Sequence, residues 1–151
     1  MQLVIVRHAH AQNHGPAGDH SRPLSEHGHA QAHETASFLR SHHIEIDYAI
    51  VSDAVRTSET FADLEIEAPV EYSKRAYNAS EEKLVQLITE APSDSSYVVI
   101  VAHNPGITDL AISCGYSDVM STGTSVIVEW DGTPADFIAA DKRVVASFSP
   151  S

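Results

Sequence analysis

Short, uninterrupted apolar runs alternate with helix-period segments from one end of this chain to the other, and few architectures accept that order. Leu3-Val4-Ile5-Val6, Ala49-Ile50-Val51 and Val98-Val99-Ile100-Val101-Ala102 show no polar position on either face, as expected of strands covered on both sides. The pattern predicts strands over 2–7, 48–52, 70–73, 97–102, 125–130 and 143–148. Helices are expected from a Ser25 cap to about residue 40, from an Asp53 cap to about 64, and over 81–90 behind Ser80. Another opens at Asn104-Pro105-Gly106, with asparagine as cap and proline first in the helix, and runs to about 114; a short one covers 134–139. The expected fold is α/β, a three-layer α/β/α sandwich with a mostly parallel central sheet. With 151 residues and no repeat or linker, residues 1–151 are expected to form a single domain.

Composition excludes several classes of function. A hydrophobic content of 42% with 20% charged residues belongs to a globular chain, not a disordered one. The formal net charge of −12 opposes binding to nucleic acid or to an anionic membrane surface, since both select basic patches. An anionic substrate must be drawn in by a local field against that average. The first apolar run has no basic leader and nothing reaches membrane-spanning length, so a cytoplasmic protein is expected. A monomer is expected too, because no exposed apolar stripe stands out. Cys114 is the single cysteine; at helical spacing from Ile107, Leu110 and Ala111 it reads as a core side chain. No Gly-rich phosphate loop or dinucleotide fingerprint is present, which argues against nucleotide-binding versions of the architecture.

Three of the strands end on residues that carry chemistry. The first ends at Arg7-His8, the second leads through Ser52-Asp53 into a helix whose first turn holds Arg56, and the third ends at His103. If these strands are parallel, two arginines and two histidines meet at the carboxyl edge of the sheet, where open α/β folds bind ligands. Helix N-termini add unpaired N–H donors there. The set suits phosphoryl transfer. Guanidiniums hold the non-bridging oxygens, and nearby positive charge keeps an imidazole neutral and therefore nucleophilic. The arginines supply the neutralising charge, so neither a metal nor a cofactor is required.

These residues carry a family resemblance. Arg7-His8-Ala9 resembles the signature of the histidine phosphatase (phosphoglycerate mutase-like) superfamily, and Val101-Ala102-His103-Asn104-Pro105-Gly106 resembles its second histidine motif. Ser52-Asp53-Ala54-Val55-Arg56-Thr57-Ser58-Glu59-Thr60 is similar to the segment with the second phosphate-binding arginine. Arg22-Pro23-Leu24-Ser25 and Tyr77-Asn78-Ala79-Ser80 are similar to the small bacterial phosphohistidine phosphatases of the SixA type. The resemblance implies His8 as phosphoacceptor, Arg7, Arg56 and His103 around the phosphate, and Arg22 as a further phosphate or substrate contact.

Two departures from the pattern matter. Ala9 stands where the family usually has glycine, a mild change if that backbone has negative φ. Around Arg75-Ala76-Tyr77-Asn78, where other branches carry a leaving-group acid, no carboxylate appears before Glu81 and Glu82. An alkoxide leaving group needs general-acid help of about 10²–10⁴-fold, whereas a phosphoramidate needs less. The expected activity is therefore metal-independent removal of phosphate from phosphohistidine in a partner protein.

The alternatives are a phosphomonoesterase for small phosphorylated molecules, with Glu81 or Glu82 as acid, and a non-catalytic phospho-ligand binding module. The chain's ten histidines also raise a metal hydrolase, but no His-Glu-x-x-His or comparable ligand spacing supports it. His14, His20, His27, His29, His33, His42 and His43 read as solvated surface or loop residues. His10 is a candidate for the rim of the site. Lys74 and Arg75 read as rim charges, and Glu81 and Glu82 also suit the dipole of their helix.

Overall fold

A computed structural model describes residues 1–151. In chain order the elements are β1 (Gln2–Arg7), α1 (Glu26–Ser41), β2 (Tyr48–Ser52), α2 (Val55–Asp63), β3 (Val70–Ser73), α3 (Glu81–Thr89), β4 (Tyr97–Ala102), α4 (Gly106–Ser113), β5 (Ser125–Glu129) and β6 (Arg143–Phe148). One six-stranded sheet has the order β3-β2-β4-β1-β5-β6. Strands β3, β2, β4 and β1 run parallel, β5 is antiparallel to β1, and β6 is antiparallel to β5.

Alternation of side chains across the central strands builds two cores. Leu3, Ile5, Ile50, Val98 and Ile100 face Leu84, Leu87 and Ile88 of α3 and Ile107 and Leu110 of α4. Val4, Val6, Ala49, Val51, Val99 and Val101 face Ala36 and Leu39 of α1, Phe61 of α2 and Leu64 at its C-cap. Polar residues are absent from the central runs because both faces are covered. The result is the expected α/β/α sandwich. Cys114 lies in the α3–α4 core, and burial pushes its thiol up to about 11, which leaves it a packing residue. No helix is long and apolar enough to cross a membrane.

Helix starts follow local chemistry, with two corrections. The Ser25 hydroxyl accepts from the Gly28 N–H at 3.0 Å, and Ser80 accepts from Lys83 N–H at 3.4 Å, as expected of caps. Asp53 does not cap α2. Its carboxylate is engaged by His20 Nε2 at 2.8 Å, and Ala54 takes the cap position without a side-chain bond. Asn104 does not cap α4 either. Its Nδ2 donates to the Met120 carbonyl at 3.1 Å and its Oδ1 accepts from Thr108 Oγ1 at 2.6 Å, so Pro105, after a cis peptide, occupies the cap.

The last elements are shorter than expected. A single 3-10 turn, Pro134–Asp136, replaces the helix over 134–139, and β5 stops at Glu129. Trp130 then buries its ring edge-on against Phe137 and donates Nε1–H to the Thr133 carbonyl at 3.0 Å.

Candidate active site

Strand direction brings the chemistry together. Arg7 pairs with Ala102 across β1 and β4, Val51 pairs with Val101 across β2 and β4, and Ser52 pairs with Ser73 across β2 and β3. Arg7-His8, Ser52-Asp53, His103 and the turn after Ser73 therefore leave the sheet at one edge. The last of these delivers Tyr77, and Asn78, at φ 49°, turns the chain back toward α3. Asparagine tolerates that left-handed conformation. Gly106 allows α4 to begin hard against this turn, since a Cβ there would lie 2.0 Å from the Ala79 carbonyl oxygen.

His8 is buried and held on three sides. Its N–H donates to Ala102 O at 3.1 Å, its carbonyl accepts from Gly123 N–H at 3.0 Å, and its Nδ1 lies 2.7 Å from Ala9 O. A carbonyl can only accept, so Nδ1 carries the proton and Nε2 keeps a free lone pair in the neutral ring. Ala9 is fully buried, has no positive φ, and packs with Leu24 and Ala32, so alanine fits where the family pattern has glycine. Thr60 Oγ1 accepts from Ala9 N–H at 3.0 Å and donates to Arg56 O at 2.7 Å. This bond ties the His8 segment to the helix that presents Arg56.

His103 lies beside His8, with ring centroids 5.3 Å apart, and its Nε2 is 2.7 Å from Ser52 Oγ. Arg7 anchors Nη1 on the Met120 carbonyl at 3.0 Å. Arg56 places Nη1 on Asp19 O at 2.8 Å and Nη2 on Asp19 Oδ2 at 3.1 Å. Four buried side-chain polar atoms in the whole chain lack a partner; three are Arg7 Nε, Arg56 Nε and His103 Nδ1. An unsatisfied buried polar group costs about 1–3 kcal/mol. Three of them concentrated in one place mark a site shaped for an anion.

Desolvation is the first cause lowering both imidazoles, His8 to about 4 and His103 to about 3. Arg56, Arg7 and Arg22 add to the effect at His8, and His8 and Arg56 add to it at His103. Both pKa values lie below the usual 6.5, so from about pH 6.5 down to about pH 4 for His8 and about pH 3 for His103 the unfolded chain binds more protons than the folded one. Stability contributed by these two residues is fully present above pH 6.5 and declines as pH falls through that window. Histidine-ring NMR on the intact protein should find both rings neutral at pH 5.5; titration of either ring near 6.5 would contradict the burial argument.

The sequence reading did not single out Asp19. It lies in a 3-10 turn (Asp19–Ser21) of the loop between β1 and α1. Besides Arg56, its carboxylate accepts from Arg22 Nη1 at 2.9 Å and from the Tyr77 hydroxyl at 2.5 Å. Tyr77 and Arg22, then Arg56, hold it well below the usual carboxylate range, so it is ionised. Its three-residue spacing from Arg22 was the available signal. Arg22 thus reaches the site through Asp19, with Nε donating to Gln12 O at 2.7 Å. His20 is also at the rim and not merely solvated: it bridges to Asp53 and packs against the Tyr77 ring, whose edge meets His103.

Other candidates lie elsewhere. Glu81 accepts from Ser113 Oγ at the end of α4 opposite Gly106, and Glu82 lines a groove with Val85, Gln86, Phe137 and Lys142. Neither carboxylate is brought to the imidazoles. Arg75 forms a two-point pair with Glu90 at 2.8 and 2.9 Å, so it is not a free rim charge. His10 is engaged at the α1 cap, 2.7 Å from Ser25 Oγ. No group of three His, Cys, Asp or Glu residues is placed to hold a metal ion.

Comparisons with known proteins bear on the family and the fold. The model of the histidine phosphatase superfamily (branch 1) matches residues 3–77. Uncharacterized protein ML1117 of Mycobacterium leprae is 31% identical over 110 residues, which span 69% of this chain and 68% of that protein. The chain belongs to the histidine phosphatase superfamily. Among solved structures, SixA from Nakamurella multipartitia shares 26% identity at a TM-score of 0.88, covering 99% of this chain and 95% of that one. The protein histidine phosphatase SixA complexed with tungstate superposes at a TM-score of 0.80 with 22% identity, covering 99% of this chain and 97% of the other, and supports the fold. The superfamily match includes Arg7, His8, Asp19, Arg22, Arg56 and Tyr77 within its limits, while His103 reaches the site through β4.

Proposed function

We propose that this protein is a phosphatase that transfers a phosphoryl group to His8 Nε2 and then to water, and that its substrate is phosphohistidine in another protein. The observation that carries this reading is a bare, neutral His8 Nε2 among unpartnered guanidinium and imidazole nitrogens. Arg7 and Arg56 hold the non-bridging oxygens and offset their charge during transfer. With the Ser52 hydroxyl, 2.7 Å away, assigned as donor to His103 Nε2, the proton sits on the unpartnered Nδ1 as a further donor to phosphate. After attack, the departing group takes its electron pair. In the second step water attacks phosphorus and Nε2 leaves with its pair; because Nδ1 keeps its proton, His8 returns as neutral imidazole. No metal takes part in either step.

The choice of substrate follows from acid–base chemistry. The carboxylate on the guanidiniums, Asp19, is held ionised and is a poor acid for an alkoxide leaving group. A phosphoramidate needs no such acid. Initial rates on a phosphohistidine-bearing peptide should exceed those on sugar phosphates in kcat/KM by about 10²-fold or more, and chelator should change neither. Preference for sugar phosphates would establish the small-molecule phosphomonoesterase instead. Tungstate binding without any turnover would establish a binding module, and loss of activity to chelator a metal hydrolase.

A further inference from the structure

We infer that Asp19 recognises the leaving group, accepting a hydrogen bond from the distal ring N–H of the phosphohistidine imidazole as the P–N bond breaks. This inference rests on the phosphohistidine reading above. A carboxylate offers about four acceptor positions. Asp19 Oδ2 serves Arg56 Nη2 and the Tyr77 hydroxyl, while Oδ1 serves Arg22 Nη1 alone. One position on Oδ1 stays open, on a side chain that is 48% exposed. The carboxylate is therefore fixed at three points, keeps an acceptor position on a half-exposed side chain, and bonds the arginine assigned to the phosphate.

The chemistry of transfer between two imidazoles calls for such a group. On the enzyme side, Nδ1–H of His8 donates to Ala9 O and Nε2 attacks. On the substrate side, the P–N bond breaks and the departing nitrogen keeps the electron pair. The distal nitrogen keeps its proton, so the product is neutral imidazole and no proton is transferred. The reactive form is thus the one protonated on the distal nitrogen, and a carboxylate next to that nitrogen favours it. Beside Asp19 lies a polar cavity of about 250 Å³ lined by Asn13, His14, Gly15, Gly18, Asp19 and Arg22. It is smaller than the roughly 300–1,000 Å³ of ordinary small-molecule pockets.

The test is Asp19→Asn, with Asp19→Ala as a second variant, assayed on the same phosphohistidine peptide and titrated with tungstate. Both variants should lose roughly 10- to 100-fold in kcat/KM, the scale of one charge-assisted hydrogen bond. Tungstate, which has no leaving group, should bind them at least as tightly as the wild type. Unchanged turnover of the peptide would overturn the inference while leaving the proposed function intact. So would tungstate affinity that falls in parallel with turnover, since Asp19 would then act by holding Arg56. Failure of the wild type itself on the peptide would overturn the phosphohistidine reading first.

Discussion

Replacing His8 with alanine lowers kcat by about 10⁴-fold or more, the scale on which removing a covalent nucleophile acts, while tungstate still binds. On the proposed mechanism the two readouts separate, because the His8 ring contributes the attacking electron pair and the anion is assigned to Arg7, Arg56 and His103. The fold should tolerate the change. The bonds that fix this segment are made by its backbone, to Ala102, Gly123 and, through Ala9, to Thr60. Steady-state rates with tungstate titration check the expectation. Residual turnover above a few per cent would mean that another group attacks phosphorus.

The second large effect is at Arg56. Arg56→Ala should lower kcat/KM by about 10³–10⁵-fold, the range for an arginine that stabilises a transferring phosphoryl group, and should weaken tungstate binding. Its side chain is 4% exposed, bonds Asp19 through two nitrogens, and leaves Nε free. Arg56→Lys should remain severely impaired, because a single ammonium lacks the planar fork that binds two non-bridging oxygens at once. The substitution also has an electrostatic signature. Arg56 is the first of the charged neighbours lowering His8, so the His8 ring in Arg56→Ala should titrate above its wild-type value of about 4. Near-wild-type rates in either variant would remove Arg56 from the phosphate cradle.

How far the sequence foretold this arrangement depended on the kind of signal. The strands were legible because residues such as Val4, Val51 and Val99 are apolar on both faces. Arg7, His8, Arg56 and His103 were legible because each sits at or just after a strand end, and parallel strands bring their ends together. Helix caps were less so. Asp53 and Asn104 have the right chemistry for caps, but tertiary partners, His20 for one and Met120 and Thr108 for the other, compete for their side chains. Asp19 was the main omission. It lies in an irregular loop with no periodicity, and its partners Arg56 and Tyr77 are 37 and 58 residues away. Glu81 and Glu82 are the carboxylates nearest Tyr77 in sequence, whereas the carboxylate that bonds the Tyr77 hydroxyl comes from the loop before α1.

The central claim is that His8 Nε2 receives the phosphoryl group. Rapid quenching of the protein with a labelled phosphohistidine substrate, followed by peptide mapping, tests it directly. The account predicts a transient, acid-labile and base-stable phosphate on His8 that forms and decays within a turnover and is absent from His8→Ala. Label on His103 or another residue, or an equal phosphoenzyme signal in His8→Ala, would contradict it.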